Sequence, residues 1–135
     1  MLPDVEIATH GPGLTEVTAA CADGLPRRDG VLALFLAHTS ASLLVQENHD
    51  PEVLDDLQAW LSRLVPEGDD PTMRWLTHTY EGPDDMPGHI RAALLPTSLV
   101  LPVEAGRLAL GRWQGVFLWE HRRAPHRRRI VRRLL

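Results

Sequence analysis

The clearest pattern along the chain is a run of apolar residues at helical spacing. They recur three and four positions apart at Val53, Leu54, Leu57, Leu61, Leu64 and Val65, which places them on one face of a helix. Asp50 and Pro51 supply an N-cap carboxylate and a proline whose missing N–H costs nothing in the first turn. Since Pro66 ends the run, the pattern predicts an amphipathic helix between the two prolines.

Two further helices are predicted on weaker patterns. One begins at Pro83-Asp84-Asp85 and carries Met86, Ile90, Ala93 and Leu94 on its apolar face. Pro87 is compatible with that helix because it still lies in the first turn. The other is short, covers Leu14 to Ala22, and precedes the turn-rich stretch 23–30.

Strands account for most of the remaining apolar segments. Val31 to Ala37 is apolar throughout, which is typical of a strand covered on both faces, and Ser42 to Gln46 is its continuation or partner. The other predicted strands are Thr97–Val103, Arg107–Leu110, Gln114–Glu120 and about Arg128–Leu134. This order predicts an α+β fold with a mostly antiparallel, β-sandwich-like core flanked by two helices.

Composition and length are those of an ordinary globular domain. The chain has 135 residues, of which 44% are hydrophobic and 24% charged, and it contains no repeat or linker, so residues 1–135 are predicted to form one domain. No apolar run approaches the ~20 residues that span a bilayer, and no secretory signal begins the sequence. We therefore expect a cytoplasmic protein with no membrane partner. Cys21, the single cysteine, excludes an intrachain disulfide and is interpreted as a packing group.

Charge is distributed very unevenly. Residues 1–120 hold all 18 acidic residues and 7 of the 14 arginines, a net charge of −11, whereas residues 121–135 hold the other 7 arginines and no acid, a net charge of +7. Such a segment can bind nucleic acid. Its apolar residues indicate instead a last strand whose arginines pair with the acidic body or a neighbouring subunit, so no nucleic-acid partner is predicted.

Three of the seven histidines stand out as candidate metal ligands. His38 follows the buried strand, His78 precedes a turn, and His89 lies four residues after Asp85 on a predicted helix. Three imidazoles leave an open position on a divalent ion, an arrangement typical of catalytic sites. Candidate supporting carboxylates are Glu47, Asp50, Asp84 and Asp85.

The spacing by itself leaves alternatives open. No HxH or HExxH pattern ties two of these histidines together, so each can equally be a half-buried, hydrogen-bonded residue. The remaining histidines, His10, His49, His121 and His126, are predicted to be solvated. Ser40 and Ser42 lie near His38, but no G-x-S-x-G elbow surrounds them, and no glycine-rich nucleotide loop occurs.

Three segments taken together resemble the YjbQ family, some members of which show secondary thiamine-phosphate synthase activity. They are residues 38–51, which begin His-Thr-Ser-Ala-Ser; residues 78–90, which include Glu-Gly-Pro-Asp-Asp-Met-Pro-Gly-His; and residues 98–115, which end in Trp-Gln-Gly. The resemblance implies an α+β fold, a homotrimer, and a divalent metal, expected to be zinc. By motif position, its ligands would be His38, His78 and His89.

The resemblance also implies a reaction and roles for further residues. The reaction joins hydroxymethylpyrimidine diphosphate to thiazole phosphate and displaces pyrophosphate. Asp84 and Asp85 would serve as acid–base groups or support the ligands. The residues that would line the substrate pocket are Ser40, Glu47, Asn48 and Gln114. Two alternatives stay open: a metal-dependent hydrolase of a phosphorylated or heterocyclic metabolite, and a non-catalytic trimeric metabolite-binding protein.

Overall fold

Two antiparallel sheets form the frame of the computed structural model, which describes residues 1–135. The strands are β1 (Val5–Thr9), β2 (Gly13–Glu16), β3 (Gly30–Leu36), β4 (Ala41–Glu47), β5 (Ser98–Glu104), β6 (Arg107–Leu108), β7 (Gln114–Glu120) and β8 (His126–Leu134). The helices are α1 (Thr18–Ala22), α2 (Pro51–Leu64) and α3 (Asp85–Leu94), with a 3₁₀ turn at Pro71–Met73. None of the helices is both long and apolar enough to cross a membrane.

The predicted α+β fold with a β-sandwich-like core is confirmed. One sheet has the strand order β1-β8-β3-β5-β6 and the other β2-β7-β4. Inward-facing residues alternate along β3, where Leu32 and Leu34 are buried, and they share one core cluster with Leu43 and Leu118 of the smaller sheet. Cys21 is fully buried in the same cluster, as expected of a packing group.

The two long helices form where the sequence predicts them. Asp50 caps α2, since its Oδ1 accepts a hydrogen bond from the Glu52 N–H at 2.9 Å. Leu61 on the apolar face of α2 is completely buried. Pro87 lies in the first turn of α3, where no intrahelical N–H is needed.

The predicted helix over Leu14–Ala22 is wrong in its first half. Residues Gly13–Glu16 form β2, in which Leu14 pairs with Trp119 of β7, and α1 begins only at Thr18. Pairing with the neighbouring strand overrides the local pattern, since Thr15 pairs with Leu118 of β7. Strand β1 was not predicted, although Val5 and Ile7 alternate with polar or small residues, and β6 is shorter than the predicted strand Arg107–Leu110.

A buried ion pair joins the two sheets. Arg128 of β8 and Glu120 of β7 have side chains that are only 4% and 1% exposed, and Arg128 Nε donates to Glu120 Oε1 at 2.7 Å. Thr9 of β1 also donates to that oxygen, at 2.6 Å. Burial alone would raise the pKa of Glu120, but the hydrogen bonds from Arg128 and Thr9 hold it below its usual value. The last strand therefore pairs one of its arginines with the acidic body.

His121 is buried, which corrects the prediction of a solvated side chain. It is 1% exposed, and its Nε2 lies 2.9 Å from Ser42 Oγ. Burial lowers the pKa of His121 to about 3, and the nearby charge of Arg91 adds to this effect. His121 is thus a neutral residue of the interior, whereas His10 and His49 are exposed and His126 is half-buried.

Replacing Arg128 with methionine should cost about 3–5 kcal/mol in the free energy of unfolding, because Glu120 would remain buried without its partner. Arg127 on the same strand is the matched control: its side chain is 76% exposed and lies 3.7 Å from Glu6. Urea denaturation should find Arg127→Met within about 1 kcal/mol of the original protein. Equal losses for both variants would contradict a structural role for the buried pair.

His121 should make the protein less stable as the pH falls. Its pKa is about 3 in the folded protein against about 6.5 unfolded. Below pH ~6.5 the unfolded chain therefore binds a proton that the folded chain does not, at up to ~1.4 kcal/mol per pH unit. His121→Gln should flatten the fall in unfolding free energy between about pH 6.5 and 5. His10→Gln, at an exposed position, is the control; an unchanged slope in His121→Gln would overturn this assignment.

Candidate metal centre

Helix α3 and the turn before it bring two imidazoles and one carboxylate together. The metal-ligating atoms of His78, Asp85 and His89 all lie within 4.8 Å of one another. His78 Nε2 is 2.7 Å from Asp85 Oδ2, and His89 Nε2 is 3.5 Å from the same oxygen. Asp85 and His89 meet because residues four apart share one face of a helix.

Arginines hold the acidic start of α3 in place. Arg122 Nη1 donates to Asp85 Oδ1 at 2.7 Å, and its Nε donates to Asp84 Oδ2 at 2.9 Å. The backbone N–H of Arg123 also donates to Asp84 Oδ2, at 2.9 Å. Asp84 is therefore occupied by these donors, whereas Asp85 keeps Oδ2 directed at the two imidazoles.

Asp85 carries its charge in this setting. It is 2% exposed, and burial by itself would raise its pKa. The hydrogen bond with His78 and the charges of His89 and Arg122 outweigh burial and lower the pKa of Asp85. The candidate centre therefore presents an ionised carboxylate.

The two ring nitrogens of His89 have different neighbours. Its Nδ1 lies 3.1 Å from the carbonyl oxygen of Thr39; a carbonyl can only accept, so Nδ1 carries the proton. In the neutral ring Nε2 then has a bare lone pair directed at Asp85 Oδ2. A proton or a cation between these atoms would satisfy both.

This donor set fits a divalent metal. A ligating imidazole usually donates its other N–H to a carbonyl or carboxylate, which fixes its tautomer, as Thr39 does for His89. Two imidazoles with one carboxylate are used by zinc and by non-haem iron sites that keep open positions. Asp85 is a ligand candidate here, whereas the sequence suggested a supporting or acid–base role.

His38 stands outside this group. Its Nε2 accepts a hydrogen bond from the backbone N–H of Arg129 at 2.7 Å, so that nitrogen is occupied. His38 and His89 do line one cleft of about 500 Å³, whose walls include Phe35, Leu36 and Ala92. The cleft opens between the end of β3 and α3, and the role of His38 as a third metal ligand stays a prediction.

Ser40 lies near the candidate centre but is engaged in the interior. It is 7% exposed, and its Oγ accepts a hydrogen bond from Arg128 Nη2 at 3.0 Å. Gly88 of α3 packs close to it, since a Cβ added at that glycine would lie 3.6 Å from Ser40 Cβ. Ser40 therefore binds Arg128 of the buried ion pair and also packs against α3, the helix that carries His89.

The other predicted pocket residues lie at the far end of the smaller sheet and support turns there. Asn48 Nδ2 donates to Glu16 Oε2 at 3.1 Å, and Gln114 Oε1 accepts from the Gly111 N–H at 2.7 Å. Glu47 Oε2 accepts from the backbone N–H of Asp50 at 3.2 Å. Strand β4 puts roughly 20 Å between this end and the centre. A substrate-binding role for Glu47, Asn48 and Gln114 stays a prediction.

Arg122 is the residue of the centre that the sequence did not reveal. It is 37 residues from Asp85 and 38 from Asp84, so no local spacing connects them. The available signal was the contrast between the arginine-rich segment after residue 120 and the paired carboxylates at the start of a helix. Opposite charges of this kind indicate an attraction without identifying the partners.

Comparison with known proteins agrees with the sequence resemblance. The family model described as "UPF0047 protein YjbQ-like" matches residues 4–135. UPF0047 protein sll1880 of Synechocystis sp. is 53% identical over 104 residues, which cover 77% of this chain and 68% of that protein. UPF0047 protein YjbQ of Escherichia coli O157:H7 is 49% identical over 102 residues, covering 76% and 70%.

Solved structures share the fold over nearly the whole chain. The conserved hypothetical protein TT1486 of Thermus thermophilus has a TM-score of 0.86 and 34% identity, covering 99% of this chain and all (100%) of that one. A YjbQ/UPF0047 family protein of Clostridium acetobutylicum has a TM-score of 0.84 and 25% identity, with the same coverage. Together with the arrangement of strands and helices, these matches show that the chain belongs to the YjbQ-like UPF0047 family.

Proposed function

We propose that this chain is a divalent-metal enzyme that acts on a small phosphorylated heterocycle. The observation that carries the proposal is the convergence of ligating atoms from His78, Asp85 and His89, all within 4.8 Å of one another, beside the cleft that His89 lines. His78 supplies a second imidazole at the same carboxylate. Perturbed titratable groups next to a cleft mark a candidate active site.

His78, Asp85 and His89 would hold the metal, with zinc as the expected ion. When bound, the metal would stabilise negative charge that develops on a leaving group. Arg122 would keep Asp85 in position by binding its other oxygen, and Asp84 would anchor Arg122. In this proposal Asp84 is a positioning residue, and Asp85 is a ligand.

Thiamine-phosphate synthesis is the reaction that the family resemblance favours. A bond forms between the pyrimidine methylene carbon and the thiazole nitrogen, while the bond from that carbon to the diphosphate oxygen breaks and pyrophosphate leaves. The cleft of about 500 Å³ is large enough for a small molecule. Its apolar walls, among them Phe35 and Ala92, would pack against a flat ring.

Hydrolysis is the second candidate because two imidazoles and a carboxylate are also the donor set of zinc hydrolases. Water would then take the place of the thiazole, with no other change in the site. A metabolite-binding protein without turnover would use the same cleft and the same metal ligands. The products formed separate these cases.

Assembly as a homotrimer is part of the proposal. Phe35 and Val100 are 52% and 71% exposed on the outer face of the larger sheet, where Ala33 pairs with Val100. Exposed apolar residues that adjoin across strands are typical of protein interfaces. Because Phe35 also lines the cleft, a neighbouring subunit on this face would help to close it.

Chelator-treated, untagged protein should bind about one zinc ion per chain, measured by isothermal titration calorimetry and metal analysis. We expect His89→Ala and Asp85→Asn each to weaken binding at least ~100-fold, since removal of a ligand costs more than the ~10–100-fold loss typical of a supporting residue. His10→Ala, at an exposed position, should leave the affinity unchanged. Unchanged zinc affinity in His89→Ala would refute the assigned centre.

The zinc-loaded protein should release pyrophosphate from hydroxymethylpyrimidine diphosphate in the presence of thiazole phosphate, with thiamine phosphate formed in equal amount. Chromatography that finds pyrophosphate without thiamine phosphate would support hydrolysis instead. Arg122→Gln should slow the reaction, because Asp85 loses its positioning contact, whereas Arg127→Gln on the exposed face should not. Binding without any turnover of either kind would leave only the binding protein and would overturn the enzyme proposal.

A further inference from the structure

The imidazole of His38 is held in one tautomer by the backbone. The pairing of β3 with β8 ends at Leu36 and Ile130, so the N–H of Arg129 on β8 lies just beyond the paired part of β3. His38 Nε2 takes the place of a backbone carbonyl there and accepts that N–H at 2.7 Å. A backbone N–H can only donate, so Nε2 must be unprotonated, and the neutral ring carries its proton on Nδ1.

The charges around His38 keep it in this neutral form. Burial lowers the pKa of His38, and the nearby charge of Arg128 lowers it further; Glu120 opposes the arginines only in part. The ring is therefore a hydrogen-bond donor through Nδ1 and an acceptor through Nε2. A neutral donor of this kind can polarise an oxygen of a ligand without giving up its proton.

Nδ1 of His38 is free to meet a ligand. It has no hydrogen-bond partner within the protein. The buried side-chain atoms without a partner are Glu67 Oε2 and Arg91 Nε, so Nδ1 of His38 is not a buried atom. His38 lines the same cleft as His89. His38 and His89 are thus polar members of a cleft whose lining is otherwise largely apolar.

We propose that His38 donates its Nδ1–H to an anionic oxygen of the ligand in this cleft, and that it is not a third imidazole on the metal. The metal would then have His78, Asp85 and His89 as its ligands from this chain. The ligand class follows from what lines the cleft: Phe35 and Ala92 would pack against a flat apolar body, and His38 would meet a phosphate or carboxylate oxygen. The inference rests on the proposed function only in taking this cleft as the substrate site.

Two substitutions at His38 separate its two nitrogens. In His38→Gln, the side-chain oxygen can reach the position of Nε2 and still accept from Arg129, but no N–H remains at the position of Nδ1. In His38→Asn, the side-chain amide can keep an N–H near Nδ1 but does not reach Arg129. The first variant should preserve the fold and lose the ligand contact; the second should retain part of the contact and lose stability.

Phenyl phosphate is the probe, since it combines an aromatic ring with an oxyanion, and phenol is its uncharged control. Both are titrated into zinc-loaded and into chelator-treated protein. We expect His38→Gln to weaken phenyl phosphate binding about 10-fold, as for loss of a hydrogen bond to a charged group, and to change phenol binding less than two-fold. Zinc affinity of His38→Gln should stay within about two-fold of the original protein, in contrast to His89→Ala.

Nitrogen-15 NMR of the histidine rings reads the tautomer directly. The expected result is a His38 ring protonated at Nδ1 between about pH 6 and 8, with no change to a metal-bound form when zinc is added. Loss of zinc binding in His38→Gln, a proton on Nε2, or equal weakening of phenol and phenyl phosphate would overturn the proposal. So would failure of the original protein to bind phenyl phosphate. If neither the original protein nor any variant binds zinc, the proposed metal-enzyme function is refuted. The proposed role of His38 is still tested by titrating phenyl phosphate into the metal-free protein.

Discussion

The buried pair of Arg128 and Glu120 is the interaction on which the arrangement of this molecule depends. It connects β8 of the larger sheet with β7 of the smaller one, and Thr9 extends it to β1. Two charges removed from water are stable only when their hydrogen bonds are satisfied, so the three strands must meet in one relative position. The short connection between β7 and β8 is fixed as a consequence, and Arg122 projects from it towards α3.

The candidate centre is built from charges that constrain one another. Arg122 and Arg123 bind the carboxylates at the start of α3, where a helix N-terminus also favours negative charge. Asp85 is thereby oriented by the protein itself, and the carbonyl of Thr39 orients His89. Preorganisation of this kind reduces the cost of binding, because the side chains have already lost their freedom. His38 is oriented independently, by a backbone N–H of a different strand.

Local patterns in the sequence were sufficient where a single element decides the outcome. The spacing of apolar residues and the Asp50 cap predicted α2, and the four-residue step from Asp85 to His89 predicted their contact. Patterns failed where distant segments meet: β2 forms because β7 lies beside it, and His121 is buried where its ring contacts Ser42 of β4. Glu47, Asn48 and Gln114 belong to a recognisable motif, yet their contacts in one chain are to the turns around them. A motif identifies the family without identifying what each of its residues does.

The position of β8 has a consequence for how the chain folds. It is the last strand in sequence, yet it lies second in its sheet, between β1 and β3. As the chain leaves the ribosome, β1 and β3 must wait for a partner that is synthesised about a hundred residues after them. Their exposed edges during that interval are open to wrong pairing. The larger sheet is therefore completed only after β8 has been synthesised, and a nascent chain that stalls before β8 has nothing to join β1 to the rest of that sheet.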